Sequence, residues 1–176
     1  MKKLRSVAAA AMVALSAFSA HALTFNLGTI GVAPGAPLGH SSIVGPFTDT
    51  YTFTLAANSL VSADATSNAT LIFPSISIGE ILGFGASIDA TPLSLSSITT
   101  SLGPNFSQQV TKLLTSPPIH LSAGSHTLTI FGTGTTLGEA SYSGNIFAAH
   151  VPEPESYAMM LVGLGALGFL ARRRRS

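Results

Sequence analysis

The chain has 176 residues, of which 46% are hydrophobic and only 9% are charged, and it contains no cysteine. That length suits one domain plus targeting segments, and the lack of cysteine excludes disulfides and thiolate metal sites. Seven of the eight basic residues lie near the two ends, whereas residues 23–150 hold one lysine and five acids. The middle therefore lacks the basic patch that binding to nucleic acid requires.

The first 22 residues have the three parts of a secretory signal peptide. A basic start with Lys2, Lys3 and Arg5 precedes an apolar run over residues 7–18. Ala20 and Ala22 then supply the small residues of a cleavage site. The sequence predicts export through the general secretory translocon, because it has no twin arginine, followed by cleavage by signal peptidase after Ala22.

The segment 23–150 is predicted to be one exported domain built from strands. Its clearest strand covers residues 47–55, where Phe47, Asp49, Tyr51 and Phe53 share one face and threonines occupy most of the other. Further candidate strands cover residues 59–65, 70–73, 75–78, 81–89, 93–98, 128–131 and 142–148. Short strands separated by Gly, Pro, Asn and Ser predict an all-β fold, an antiparallel β-sandwich or jelly roll.

Two segments of the domain do not follow this alternation. In residues 105–114, apolar side chains recur at nearly helical spacing, which predicts a short helix. Residues 28–46 are rich in Gly and Pro and are predicted to form a loop or an irregular edge.

Asp49 is the one charged residue on the aromatic face of the predicted strand, so it is the first candidate for chemistry. We interpret it as a structural acid that accepts hydrogen bonds from backbone N–H groups. A calcium ligand is the alternative, but calcium loops place several carboxylates close together in sequence and none does so here.

Other catalytic patterns are weak. The four histidines that remain after export are not spaced as zinc ligands, and the chain has no G-x-S-x-G motif. The sequence therefore predicts no catalytic residue, no metal and no cofactor.

Two alternative functions stay open, a carbohydrate-binding module and a secreted hydrolase. The absence of Trp argues against the first, and the second would require a cleft joining Asp49, Glu80 or Asp89 to a histidine.

The last 26 residues form a separate segment. Residues 163–168 match G-x-G-x-x-G, but no strand, second helix or later acid accompanies the match, so it does not indicate a dinucleotide site. The apolar run 157–171 is predicted to be a single transmembrane helix. As a helix it would measure about 22 Å against roughly 30 Å of hydrocarbon, which makes a marginal span. The positive-inside rule places the final arginines in the cytoplasm and the domain outside.

This tail resembles the PEP-CTERM sorting signal of Gram-negative bacteria. Pro152, Glu153 and Pro154 match its recognition motif, and the closing basic block matches its cytoplasmic stop. The block consists of Arg172, Arg173, Arg174 and Arg175. The resemblance implies an inner-membrane-tethered precursor that an exosortase cleaves near the Pro-Glu-Pro segment. Delivery to the cell surface or the exopolysaccharide matrix would follow.

A second resemblance covers parts of the domain. Residues 47–53, 121–130 and 141–145 look like segments of the FxDxF family of PEP-CTERM proteins, with Tyr51 in place of the second Phe. That family implies a small all-β exported domain without a known activity. Together these observations predict a non-enzymatic exported protein with a signal peptide at 1–22, a β-sandwich at 23–150 and a sorting signal at 151–176.

Overall fold

The computed structural model describes residues 21–31, 35–72, 76–101, 107–151 and 154–173. Within these ranges the chain forms twelve strands and one helix. In chain order they are β1 Thr24–Thr29, β2 Ala36–Ile43, β3 Gly45–Leu55, β4 Ser59–Ile72, β5 Ile76–Ile78, β6 Ile81–Ile88, β7 Thr91–Pro92, β8 Ser94–Ser101, β9 Ser107–Thr115, β10 Ile119–Leu121, β11 Gly124–Gly134, β12 Ala140–His150 and α1 Pro154–Arg173.

The strands form two sheets. The first sheet has five strands in the order β1-β3-β11-β6-β7, and the second has seven, with the path β2-β12-β4-β9-β8 and with β5 and β10 also pairing with β4. All the strand pairs are antiparallel except β1 with β3, which is parallel. The prediction of an all-β, mainly antiparallel sandwich is confirmed.

The core lies between the sheets, and β3 shows why the sequence folds this way. Successive side chains of a strand point to opposite faces, so the odd-numbered residues of β3 face the second sheet while its threonines face outward. Phe47, Tyr51 and Phe53 are each at most 2% exposed. Burying a side chain of this size contributes about 1.5–3 kcal/mol, so this single strand anchors a large part of the core.

The predicted helix over residues 105–114 is wrong. The described part of this segment belongs to β9, which pairs with β4 on one side and β8 on the other. A helix here would leave the backbone groups of β4 and β8 that face β9 without hydrogen-bond partners. The free-energy cost of those unpaired groups exceeds the small helical preference of the local sequence. Leu114 is completely buried as a result. Residues 105 and 106 lie outside the described ranges.

The predicted loop over residues 28–46 is also partly wrong, because β2 occupies Ala36–Ile43 and pairs with β12. β2 is an edge strand with one neighbour, which is the position where a strand tolerates Pro37. Residues 32–34 lie outside the described ranges. The predicted strands 47–55, 93–98, 128–131 and 142–148 are longer in the structure, whereas 75–78 and 81–89 match β5 and β6 to within one residue. The predicted strands 59–65 and 70–73 belong to the single strand β4, and residue 73 lies outside the described ranges.

Helix α1 follows the domain after a short connection. Its formation confirms that residues 157–171 are helical, and the side chains described from Tyr157 to Leu167 are all exposed. In the portion of the chain that the structure describes, no helix is both long and apolar enough to cross a membrane. The transmembrane part of the prediction is therefore not borne out.

Candidate functional site

The carboxylate of Asp49 lies between the two sheets and has no exposed surface. Its Oδ2 atom accepts hydrogen bonds from the Tyr142 hydroxyl at 2.6 Å and from His40 Nδ1 at 2.8 Å. Its Oδ1 atom accepts the backbone N–H of Leu23 at 3.3 Å. The three donors come from β12, β2 and the residue before β1, so one carboxylate on β3 connects three other segments.

Tyr51 extends this arrangement into a chain of hydrogen bonds. Because the Tyr142 hydroxyl donates to Asp49, Tyr51 is the donor in the 2.8 Å bond between the two tyrosine hydroxyls. The Tyr51 oxygen accepts the N–H of Gly39 at 3.1 Å. A buried polar group is costly unless it is hydrogen-bonded, and every buried side-chain oxygen or nitrogen in the described residues has a partner.

Both tyrosines are held neutral. Burial raises the pKa of Tyr142 far above its ordinary value of 10, and the hydrogen bonds with Asp49 and Tyr51 raise it further. Burial also raises the pKa of Tyr51, against the opposing effect of its hydrogen bonds with Tyr142 and Gly39. Each hydroxyl therefore remains a proton donor across the physiological range and is unsuited to act as a base or nucleophile.

Aromatic rings surround these hydroxyls. Phe47 stacks on Tyr142 with ring centroids 5.8 Å apart, and Phe84 lies 5.9 Å from the same ring. Phe25 stacks on Tyr51 at 4.8 Å. The rings exclude water from the carboxylate, which strengthens its hydrogen bonds and also raises the cost of losing any one of them.

A shallow pocket of about 400 Å³ lies nearby, and His40 and Tyr142 are among its lining residues. The other side chains that line it, including Thr66 and Ser143, alternate along their strands with inward-facing residues. They therefore belong to the outer surface of the second sheet, on the side opposite Asp49. The structure brings Asp49 and His40 together as the hydrolase alternative requires, but it buries the acid away from this pocket.

A second acid–histidine pair joins Asp89 to His126. His126 Nδ1 contacts Asp89 Oδ2, and Nε2 lies 2.8 Å from the Ser122 carbonyl oxygen. The other Asp89 oxygen accepts the N–H of Thr127 at 2.9 Å. Asp89 and Ala90 both have positive φ angles, so these bonds fasten a strained turn between β6 and β7 onto β11.

Because both ring nitrogens of His126 face acceptors, the imidazolium form satisfies the pair best. Burial opposes this charge, but the hydrogen bonds to Asp89 and Ser122 outweigh it and raise the pKa of His126 above 6.5. A raised folded-state pKa adds stability that is fully present below the unfolded value and disappears as the pH rises through the folded value.

We expect His126→Ala to lower the free energy of unfolding by about 1–2 kcal/mol at pH 5.5 and by clearly less at pH 8.5. Urea unfolding at the two pH values measures this difference. His120→Ala is the matched control, because His120 is exposed on β10 and should show little effect at either pH. An equal loss at both pH values for His126→Ala would show that its charge does not contribute.

A cross-sheet ion pair lies beside a groove on the surface of the domain. Lys112 on β9 donates to Glu80 Oε1 at 2.8 Å and to the Ile81 carbonyl oxygen at 2.6 Å. Burial alone would raise the pKa of Glu80, but the hydrogen bonds from Lys112 and Ser77 lower it. The groove, of about 580 Å³, is lined by apolar residues such as Leu82 and Leu137 together with serine, threonine and glycine residues. Because Lys112 already neutralises the carboxylate, we interpret Glu80 as part of the link between the sheets.

The residues that the structure describes contain no group of three or more His, Cys, Asp or Glu side chains arranged to hold a metal ion. The G-x-G-x-x-G segment lies inside α1, where no strand-to-helix turn can cradle a phosphate. Asp49 accepts one backbone N–H, that of Leu23, as expected of a structural acid, but its two shorter hydrogen bonds come from the side chains of Tyr142 and His40.

The sorting residues are only partly visible. Pro154 is the first residue of α1, and Arg172 and Arg173 lie in its last turn. Pro152, Glu153, Arg174, Arg175 and Ala20 lie outside the described residues. Ala22 is exposed and lies between β1 and His21, which forms an isolated parallel bridge with Phe47.

Comparison with known proteins bears directly on this tail. A family model described as the PEP-CTERM protein-sorting motif matches residues 150–175. The chain carries a PEP-CTERM sorting signal. A motif of this kind implies sorting of an exported protein by an exosortase and suggests a membrane-anchored precursor.

The domain itself has weaker counterparts. A solved structure, the pre-peptidase C-terminal domain of a collagenase from Bacillus anthracis, is similar over 72% of this chain and 95% of that domain, with 13% identity and a TM-score of 0.36. At that similarity the match carries no argument about function. No curated protein matches the chain.

Proposed function

We propose that this protein is a non-enzymatic, exported β-sandwich that an exosortase releases from its tail and that remains at the cell surface or in secreted exopolysaccharide. The sorting motif at residues 150–175 is the observation that carries the proposal. The domain supports a non-enzymatic role, because the acid–histidine and acid–lysine contacts described above each fasten strands or turns together.

The tail begins directly after the last strand of the domain. β12 ends at His150, and the N–H of Val151 donates to the Asn58 carbonyl oxygen at 3.0 Å. α1 begins three residues later at Pro154. Cleavage near the Pro-Glu-Pro segment would therefore remove the exposed helix and its arginines while leaving every strand of the sandwich. We regard the tail as a temporary tether at the inner membrane.

Replacing Pro152, Glu153 and Pro154 together with alanine should leave the domain folded but stop its release. In the native host we expect nearly all of this variant to remain in the membrane fraction at precursor mass, whereas the wild-type chain reaches the exterior. Thr99→Val, a conservative change on exposed β8, is the control for secretion and should be released normally. Normal release and trimming of the triple-alanine variant would refute processing at this motif.

The outer face of the first sheet supports retention in a neutral polysaccharide. In its four longer strands, all of them fully described, no charged side chain points outward. Cross-strand pairing instead aligns hydroxyl and amide groups into two rows. The rows are Thr24, Thr50, Thr129 and Ser87, and Asn26, Thr52 and Thr127.

We name these seven residues the hydroxyl face. Strands lie about 4.8 Å apart and outward residues recur about every 6.7 Å, so the face repeats in two directions. β-branched threonines have restricted χ1 angles, which pre-organises their hydroxyls. A regular array of donors and acceptors without charge suits a ligand that itself carries regularly spaced hydroxyl groups.

The double variant Thr50→Val and Thr129→Val tests this role, because valine keeps the shape of threonine and removes its hydroxyl. We expect its co-sedimentation with the host's purified exopolysaccharide to fall at least severalfold, while Thr99→Val on the second sheet stays at the wild-type level. Unchanged binding of the double variant would exclude the hydroxyl face. A glycan array with the released protein tests the alternative of a carbohydrate-binding module, which predicts selective binding to particular sugars.

A further inference from the structure

The amino-terminal edge of the domain places the predicted cleavage site directly beside the buried carboxylate. The N–H of Leu23 is the donor to Asp49 Oδ1, at 3.3 Å. Leu23 is also the residue that signal peptidase would expose by cutting after Ala22. We infer that Asp49 forms a binding site for the mature amino terminus, so that export completes the polar cluster of the core.

This inference rests on the export route proposed above and begins with the chemistry of the cut. Hydrolysis breaks the C–N bond between Ala22 and Leu23, and water supplies a hydroxyl to the Ala22 carbonyl and a proton to the Leu23 nitrogen. At neutral pH the new carboxyl group loses its proton, and the new amine, with an ordinary pKa of about 7.7–8.0, takes one up. The Leu23 nitrogen thereby changes from a neutral amide into an ammonium group.

The new positive charge on the Leu23 nitrogen lies beside the buried Asp49 carboxylate. In the uncut chain, the 3.3 Å distance from the Leu23 nitrogen to Asp49 Oδ1 is long for an N–H hydrogen bond. Among the described residues, this is the hydrogen bond that Oδ1 accepts. Within the same residues, the recorded ion pair of Asp49 is with His40. Burying a carboxylate is costly unless partners compensate its charge, and a hydrogen bond from an ammonium group is about twice as strong as one from an amide.

The backbone holds Leu23 in position without the leader. Its carbonyl oxygen accepts the N–H of Thr50 at 2.8 Å, and β1 continues the parallel pairing from Thr24 onward. The ring of Phe25 also stacks on Tyr51. The ammonium therefore needs to move by only a few tenths of an ångström to reach the usual length of a charged hydrogen bond.

Cleavage also removes the backbone hydrogen bonds that the leader makes with the domain. The leader side contributes two backbone bonds, from the His21 N–H to Pro46 at 3.0 Å and from the Thr48 N–H to His21 at 2.9 Å. These are hydrogen bonds between neutral groups at the edge of the sheet, and the net stability that each contributes is small. The new ion pair replaces them with one contact to a fully buried acid.

The position of the cut matters because the pair depends on register. One extra residue would carry the charge about 3.3 Å farther along the strand and leave an ordinary amide at Leu23. The titratable groups facing the carboxylate are His40 from β2, Tyr142 from β12 and, through Tyr142, Tyr51 of β3. These three groups are the same whichever residue comes first. A comparison of chains that differ only in their first residue therefore measures the effect of the ammonium group alone.

The test compares the chain 23–176, beginning at Leu23, with the chain 22–176, beginning at Ala22, both in detergent and with free amino termini. Urea unfolding at pH 6.5 and 10 gives the folding equilibrium constants. At pH 6.5 we expect the folding equilibrium constant of the Leu23 chain to be about tenfold or more larger than that of the Ala22 chain. Each unit by which folding raises the pKa of the amine multiplies that constant by ten. The stability is lost as the pH rises through the folded-state pKa of the amine, so the difference should shrink at pH 10.

Asp49→Asn in both chains should abolish the difference. If that variant does not fold, the reactivity of the amino terminus with an amine-specific reagent replaces it, and the Leu23 amine should react at least severalfold more slowly than the Ala22 amine. Equal stability and equal reactivity of the two chains would overturn the inference. Sequencing of the exported protein tests the export route separately, because a first residue other than Leu23 refutes the cleavage site even where the ion pair forms in the defined chains.

Discussion

Replacing Asp49 with alanine is expected to lower the free energy of unfolding by about 3–5 kcal/mol. The change removes the acceptor of the Tyr142 hydroxyl and of His40 Nδ1, and both donors stay buried or nearly so. It also leaves a cavity between the sheets, where the structure can relax only in part. Domains of this size are stable by only about 5–15 kcal/mol, so this loss is a large fraction of the total.

Urea unfolding of the released protein measures this loss. Asp64→Asn is the matched control, because Asp64 is an acid on a central strand that faces outward, and we expect a change within about 0.5 kcal/mol. If the alanine variant does not fold, Tyr142→Phe removes the hydroxyl with its bonds to Asp49 and Tyr51 and should cost about 1.5–3 kcal/mol. A loss below 1 kcal/mol for both core variants would contradict the structural role of Asp49.

Gly144→Ala is the second change with a large expected effect. Gly144 lies in β12 between β2 and β4, opposite Ala65. An added methyl group would collide with the Asp64 carbonyl oxygen and approach the Ala65 Cα atom to 2.8 Å. Both obstacles are backbone atoms that hold the ladder, so the strands must separate. We expect the free energy of unfolding to fall by about 3 kcal/mol or more.

Gly31→Ala is the control for this prediction, because a methyl group there meets nothing within 4 Å. It should leave stability unchanged or raise it slightly by restricting the unfolded chain. Thermal unfolding compares the two variants directly. Equal transition temperatures would mean that β12 and β4 are less closely packed than the structure has them.

The sequence predicts the strands whose own residues alternate clearly between apolar and polar. The run from Phe47 to Leu55 alternates so regularly that β3 is recognisable without its neighbours. β9 is not, because its apolar residues also fit a helix and its conformation depends on pairing with β4 and β8. β2 contains Pro37 and Gly39, and only its place at the edge beside β12 explains its extended form.

The candidate site shows the same limit. Asp49 stands out in the sequence as the one acid on an aromatic face, but its main partner, Tyr142, is 93 residues away. The available signal is that Tyr142 belongs to the inward register of the last predicted strand, which places a hydroxyl in the core. A buried hydroxyl and a buried carboxylate must each find a partner, so the pairing follows from both placements but not from spacing.

The two ends of the chain connect to the domain in different ways. At the amino end, β1 pairs along β3 from Thr24 onward, and His21, on the leader side of the predicted cut, forms a bridge with Phe47. At the carboxyl end, the junction at Val151 lies outside the last strand. Processing at the tail should therefore leave the stability of the domain unchanged, whereas processing at the leader should alter it.

We expect both ends of the chain to be removed, so that the folded domain between them is what leaves the cell. Intact-mass spectrometry of the protein recovered from outside the native host measures this directly. The expected result is one dominant species that begins at Leu23 and ends before the apolar segment at residue 157, close to Pro152, Glu153 and Pro154. Recovery of a species that still carries residues 157–176 would contradict it.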